Sequence, residues 1–294
     1  KVDYQRLVLF CVEDWYEPSS SMKEFADKSM EITFAPGIGL PGRVCESGNP
    51  AWIEDVTRDP NFPRAPFASK ANLHAAFGFP ISLGDQVFGV MEFFSQEIQE
   101  PDEGLLQMFS TIGSQIGQFI ERENQDRRLQ AQYHVTTILA ESTSLDQASP
   151  SILEAICGSL GWAFGAIWHV DALEQVLRCV EVWKPPSAPL DEFMADSKGS
   201  TRASGVGLPG RVWETGEPVW IADVAVDPNF VRASVAAKEG LHAAFGFPIK
   251  LGNSILGVME FFNRETQEPD KELLQMFGAI GVQIGQFIQR TRMK

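Results

Sequence analysis

Apolar positions along the chain follow two alternating periods. Leu105, Phe109, Ile112, Ile116 and Phe119 recur every three or four residues, the spacing of one face of a helix. Phe77, Phe79 and Ile81 instead fall at every second residue, the period of a strand. The run QVFGVMEFF that follows is joined to them by Gly84–Asp85, a strong hairpin signal. The same reading gives a strand over 7–15 (LVLFCVEDW) and a hairpin of 163–170 with 176–183 across the polar break Asp171–Gln175. Two helices precede that hairpin. Ile138 and Leu139 mark the first; Ile152, Ile156 and Leu160, at i, i+4 and i+8, mark the second.

Shorter elements fill the remainder. SSMKEFADKS reads as a helix with a Ser cap, and its counterpart PLDEFMADSK keeps the phenylalanine (Phe25, Phe193). SMEITF has strand character, whereas KGSTRASG reads as loop. GLPGRVCESG is a short helix with Pro41 near its first turn and Gly48 past its end. PAWIEDV is a short strand, TRDPNFPRAP a loop and FASKANLH a brief helix. A long helix then starts at Pro101–Asp102. No proline interrupts it before Ser142, and no glycine follows Gly117, so it is expected to run on through ERENQDRRLQAQ into the next helix.

These elements occur twice. Residues 39–122 return as residues 207–290 without a gap, and roughly two-thirds of the aligned positions are identical. A repeat this long is a domain rather than a solenoid unit. The expected division is 1–122, a helical linker 123–133, and 134–294. Residue 1 aligns with His169, so the first copy is expected to lack its opening helices and first strand and to expose a sheet edge.

The net charge of −15 disfavours nucleic acid or an anionic membrane as partner. No apolar run is long enough to span a bilayer. Cys11 and Cys179 are repeat equivalents, Cys45 is replaced by Trp213, and no CxxC pair exists. Neither a disulfide framework nor a zinc site is expected, and the cytoplasm is the expected compartment.

The order of elements, with G-LPGRVWETGEPVWIADV, DPNF-x-RA and GLHAAFGFPIKLG-x-x-LGVMEFF, resembles the GAF family of small-molecule sensor domains, in the form common in bacterial multi-sensor histidine kinases. The resemblance implies an α+β fold: two domains, each a central antiparallel sheet of about six strands with helices on both faces, joined by a long helix. It implies a ligand pocket, where one exists, on the face away from the terminal helices. It also implies what is missing here. Bilin-binding relatives carry a Cys–His pair before the GLH-like segment, where this chain has Pro63–Arg64 and Val231–Arg232. The NKFDE-type signature of cyclic-nucleotide binders is absent. No covalent bilin is therefore expected, and nothing beyond a lone histidine supports haem.

Candidate chemistry lies in the loop DVTRDPNFPRA and its counterpart DVAVDPNFVRA. Asp55, Asn61, Phe62 and Arg64 recur as Asp223, Asn229, Phe230 and Arg232. Asp and Asn form turns, and each Arg offers two-point recognition of a carboxylate or phosphate. His74 and His242 precede the next strand; packing and ligand contact are both open for them. Glu92 and Glu260 sit within VMEFF, and either pair with a cation from a neighbouring element or face a polar cavity. Phe77 and Phe245 read as core or as a stacking platform, and Trp52 and Trp220 complete the pocket candidates. GIGLPG and GVGLPG match the dinucleotide spacing GxGxxG, yet the hairpin pattern around them favours a tight turn.

The reading is a cytoplasmic sensory segment of a larger signalling protein with a C-terminal output domain, taken as a histidine kinase. An unknown small molecule would be its ligand. A parallel homodimer would pair through Phe109, Ile112, Ile116 and Phe119, and through Phe277, Ile280, Ile284 and Phe287. Its rivals are a ligand-free dimerisation and relay module, and an enzyme like the free methionine sulfoxide reductases, which need reactive cysteines.

Overall fold

The computed structural model describes residues 1–3, 8–17, 19–267 and 269–292, and the chain divides into two compact units, Lys1–Asn124 and Gln125–Lys294. In the first, β1 (Val2–Asp3), β2 (Val8–Phe10), α1 (Ser20–Glu31) and β3 (Thr33–Phe34) are followed by α2 (Gly39–Ser47), β4 (Ala51–Ile53) and α3 (Ala65–Lys70). β5 (Ala76–Leu83), β6 (Gln86–Phe94) and α4 (Glu103–Glu141) close it, with α4 continuing across the unit boundary. The strand expected over 7–15 is thus short, and its Leu7 lies outside the described residues.

The second unit contains α5 (Leu145–Leu160), β7 (Phe164–Asp171), β8 (Val176–Trp183), α6 (Asp191–Gly199), β9 (Thr201–Arg202), α7 (Gly207–Thr215) and β10 (Val219–Ile221). It ends with α8 (Ala233–Lys238), β11 (Ala244–Leu251), β12 (Ser254–Phe262) and α9 (Lys271–Arg292). The segment KGSTRASG is not all loop: Thr201 and Arg202 pair with Arg178 and Leu177 of β8. Local turn-forming composition lost there to an available sheet edge.

Unit two is one antiparallel sheet in the order β10-β11-β12-β7-β8-β9. Alternation along its strands splits the core in two. On one face, Phe245, Phe247 and Phe261 meet Ile152 and Ile156 of α5 and Phe277, Ile280 and Ile284 of α9. On the other, Phe164, Trp168, Val258 and Phe262 meet Phe193 of α6, Leu208 and Val212 of α7, and Phe230.

Unit one holds the equivalent strands as two three-stranded sheets, β1-β2-β3 and β4-β5-β6. β12 is hydrogen-bonded on both sides, whereas β6 pairs only with β5 among the described residues. Met91 and Phe93 are accordingly 37% and 39% exposed, where Met259 and Phe261 are sealed. Of the first strand, which this copy was expected to lack, Val2–Asp3 is present as β1, paired to β2 through Val2↔Leu9 and Asp3↔Val8. Among the described residues no helix is long and apolar enough to cross a membrane.

Much of the stripe assigned from sequence to a partner helix packs within its own domain, although Phe119 is 62% exposed and Ile112 and Ile116 are only partly buried. Phe277, Ile280, Ile284 and Phe287 are at most 3% exposed, packed on their own sheet. Phe109 stacks on Phe77, Phe79 and Phe93 at centroid distances of 4.9 to 5.5 Å. A half-apolar sheet face has to be covered by something, and the nearest long helix does it.

Glycine sets how close these helices come. A Cβ at Gly281 would lie 2.1 Å from the Pro248 carbonyl oxygen, and one at Gly285 1.9 Å from that of Lys250. Gly113 and Gly117 stand in the same relation to Pro80 and Ser82. Gly278, on the same helix, has nothing within 4 Å of its hypothetical Cβ. Gly281→Ala is expected to lower unfolding free energy by more than about 2 kcal/mol, since backbone must shift. Gly278→Ala should instead raise it by roughly 0.5–1 kcal/mol through helix propensity alone. Urea denaturation of the two variants checks both signs.

Candidate functional site

The loop after β4 is built from short polar side chains closing on nearby backbone. Asp55 accepts hydrogen bonds from the Thr57 amide and hydroxyl at 3.1 and 2.7 Å. His74 Nδ1 lies 3.1 Å from the same carboxylate oxygen, and His242 lies 3.1 Å from Asp223. The Thr57 hydroxyl, followed by the His74 ring, holds the Asp55 carboxyl below its ordinary pKa. Both histidines are therefore partnered by an Asp of their own loop.

Asn61 clamps the glycine turn. It accepts from the Gly39 amide at 3.1 Å and donates to the Gly37 carbonyl at 2.8 Å; Asn229 does the same to Gly207 and Gly205 at 3.2 and 2.9 Å. Asp59 receives the Asn61 amide at 2.7 Å and the Arg43 guanidinium at 2.5 Å. The Gly37 and Gly42 amides are also taken, by the Gly42 and Ile38 carbonyls. Gly37 and Gly39 have φ of 79° and 64°, and a Cβ at Gly42 would sit 2.2 Å from Ala35 O. These glycines make a turn, and no row of free amides remains to cradle phosphate.

Arg64 and Arg232 turn inward from the end of this loop. The Arg232 Nη2 group donates to both carboxylate oxygens of Glu260 at 2.7 Å, and Nη1 donates to Ser197 Oγ at 2.7 Å. Arg64 repeats the arrangement with Glu92, at 2.7 and 2.9 Å, and with Ser29 at 2.9 Å. Each serine hydroxyl in turn donates to a carbonyl of its own helix, Phe25 or Phe193. In unit two the pair is completely enclosed: Arg232 is 2% exposed and Glu260 0%. Phe193, Phe262, Phe230 and Trp168 surround its guanidinium at 4.4 to 5.8 Å, and the Trp168 Nε1–H donates to Glu260 at 2.9 Å.

The sheet parts the remaining candidates. Glu92 lies opposite Gly78 and Phe93 opposite Phe77, so Phe77 faces α4 and Glu92 faces away. Trp52 stacks on Phe77 at 5.4 Å and donates to the Gln99 carbonyl; Trp220 stacks on Phe245 and donates to Gln267. Phe62 and Phe230 lie with the arginines in the cores of the opposite face. Trp52, Phe77, Trp220 and Phe245 therefore line the terminal-helix side, and the candidates do not form one pocket.

Sequence reasoning missed Ser29 and Ser197, Trp168, and Arg202. The serines recur at the repeat spacing within the diverged segment, a signal that was available. Arg202 stands where the first copy has Phe34. It is 8% exposed, lies 5.4 Å from the Trp168 ring, and reaches Asp196 at 3.4 Å. Burial, and then the neighbouring Arg232, push its pKa below the usual arginine range. The Nε atoms of Arg202 and Arg232 are both buried without a hydrogen-bond partner among the described residues.

Burial raises every thiol: Cys11, Cys45 and Cys157 go up, and Cys179 is pushed up to about 12. None is poised as a thiolate at neutral pH. Among the described residues no group of three or more His, Cys, Asp or Glu could hold a metal ion.

A family model described as GAF domain matches residues 3–121 and 142–289. Protein NLP3 of Arabidopsis thaliana is 27% identical over 266 residues, which cover 84% of this chain and 34% of that protein. The chain thus spans about a third of that relative's length. A GAF domain from a phosphoenolpyruvate-protein phosphotransferase of Coxiella burnetii superposes with a TM-score of 0.50 at 18% identity, over 57% of this chain and 96% of that one. A free methionine-R-sulfoxide reductase of Neisseria meningitidis gives 0.48 at 14% identity, over 56% and 90%. Likeness at that identity speaks to fold alone.

Removing one partner of a buried ion pair leaves the other charge stranded. Glu260→Gln is expected to cost about 3–5 kcal/mol of unfolding free energy, and Glu92→Gln less, its side chain being 16% exposed. The double change Arg232→Met/Glu260→Leu should recover most of the loss. Denaturant titration of the three variants measures the order.

Proposed function

This chain belongs to the GAF domain family, and on that premise we propose that it is a tandem regulatory module of a longer signalling protein. In this reading its polar interior is occupied by its own side chains, and its task is relay rather than catalysis. One observation carries it: the arginine that could clamp a ligand's carboxylate already clamps Glu92 or Glu260, inside an aromatic enclosure. The internal carboxylate stands where an external one would be needed. α4 runs unbroken from Glu103 to Glu141 and gives the relay its covalent path. A sensor histidine kinase remains the proposed setting, with the output domain C-terminal to this segment. Neither bilin nor haem has a place in this reading, since His74 and His242 are held by Asp55 and Asp223.

A second reading has one observation in its favour. Unit two buries two guanidinium groups, Arg202 and Arg232, against one fully buried carboxylate, with the half-exposed Asp196 as the other anion. A small anionic ligand would relieve that imbalance there and not in unit one, where Phe34 replaces the second arginine.

Thermal melting with a library of small metabolites separates the two. A ligand at a hundred times its Kd adds about 2.7 kcal/mol to a site that exists only in the folded state. The relay reading expects no reproducible rise in Tm with any member. A rise that Arg202→Phe abolishes, while the variant still melts cooperatively, would replace relay with sensing by unit two.

A further inference from the structure

The first turn of α6 has no cap of its own. Its N-cap residue, Leu190, offers no side-chain acceptor, so the opening amides of the helix need one from elsewhere. They find it on another element. The Glu239 carboxylate, at the end of α8, accepts from the Glu192 amide at 3.0 Å and from the Phe193 amide at 3.1 Å. Unit one is built differently. There α1 begins three residues earlier in the repeat, with Ser19 as its cap. Glu24 and Phe25, the counterparts of Glu192 and Phe193, lie a turn inside that helix, and the position of Glu239 is held by Ala71. Pro189 accounts for the difference: it stands where α1 has Ser21 and disfavours helical backbone at the preceding Ala188.

What α6 covers gives this cap its importance. The Phe193 ring lies 4.4 Å from the Arg232 guanidinium carbon, Ser197 Oγ accepts from Arg232 at 2.7 Å, and Asp196 accepts from Arg202 at 3.4 Å. Glu260, the other partner of Arg232, is on β12 and stays with the sheet. We propose that α6 is a lid over the two buried arginines of unit two, and that Glu239 is its latch. The helix has nine residues, too few to persist once its contacts are lost. Lys238 and Glu192 also join α8 to α6, but that pair is exposed and such pairs add little; unit one has the same one in Lys70 and Glu24. Glu239 does more, because it serves two orphan amides and sets a negative charge at the positive end of the helix dipole. The latch works whether or not an anion binds beneath the lid, and it belongs to unit two alone.

Hydrogen exchange in low urea tests it on the whole chain. A lid that lifts by itself exposes little surface, so the amides of Ser197, Lys198 and Gly199 should exchange with a shallower urea dependence than those of β12. Glu239→Ala is expected to quicken their exchange roughly tenfold, the usual effect of losing a cap, without steepening that dependence. Glu239→Gln keeps one acceptor oxygen and should give a smaller rise. Phenylglyoxal should modify Arg232 and Arg202 faster in Glu239→Ala by a similar factor, read by peptide mass, while Arg64 keeps its rate. Arg64 is the matched control, since it is as buried as Arg232 and has the same Glu and Ser partners. A urea dependence as steep as that of β12 would mean that α6 opens only with the whole domain, and would overturn the proposal. So would a rise confined to Glu192 and Phe193, or an unchanged rate of modification at Arg232.

Discussion

A guanidinium and a carboxylate buried against each other are what the half of each domain away from the terminal helices is assembled around. In unit two the pair ties together side chains from four elements: Ser197 from α6, Arg232 from the loop before α8, Glu260 from β12 and Trp168 from the neighbouring strand β7. Such a pair adds little net stability over well-packed hydrocarbon, because desolvation of both ions offsets their attraction. What it adds is geometry. A misplaced loop would leave an unpaired charge among phenylalanine rings, a far worse outcome than a slightly misplaced leucine.

The repeat supplies its own comparison. The loop–turn clamp is the same in both copies down to the hydrogen bonds of Asn61 and Asn229. The surroundings of the ion pair are not. Unit two adds Arg202 and Trp168 and closes its Glu completely; unit one presents Phe34 to the guanidinium and leaves Glu92 partly open. Conserved geometry at the clamp and divergence around the pair mean the two copies cannot be interchangeable in what they tolerate or respond to.

Periodicity made most of the fold legible, because the long helices and the two hairpins are local patterns whose apolar spacing is strong. The cap at Ser19, the left-handed Gly48 and the paired hairpin strands lie where residue chemistry puts them. The site was less readable. Glu92 was open between a cation and a cavity, and its partner Arg64 lies 28 residues away, a separation no local rule spans. Trp52 and Phe77 were grouped with it by motif, whereas strand alternation sends them to the other face. The α4 stripe was hard to place for a related reason. Leu105, Phe109, Ile112, Ile116 and Phe119 read as one stripe, yet Phe109 packs on its own sheet while Phe119 is 62% exposed, a split that spacing alone does not show.

The glycines under α4 and α9 have a mechanical meaning. Gly113, Gly117, Gly281 and Gly285 let helix backbone rest almost directly on strand carbonyls, with no side-chain layer between to act as a bearing. A helix seated so closely cannot roll about its axis, since a small turn drives a neighbouring Cβ into a peptide oxygen. It can travel only with the hairpin beneath it, as one stiff lever. Displacement at the far tip of β5 and β6 must then reach the helix as tilt and not as twist.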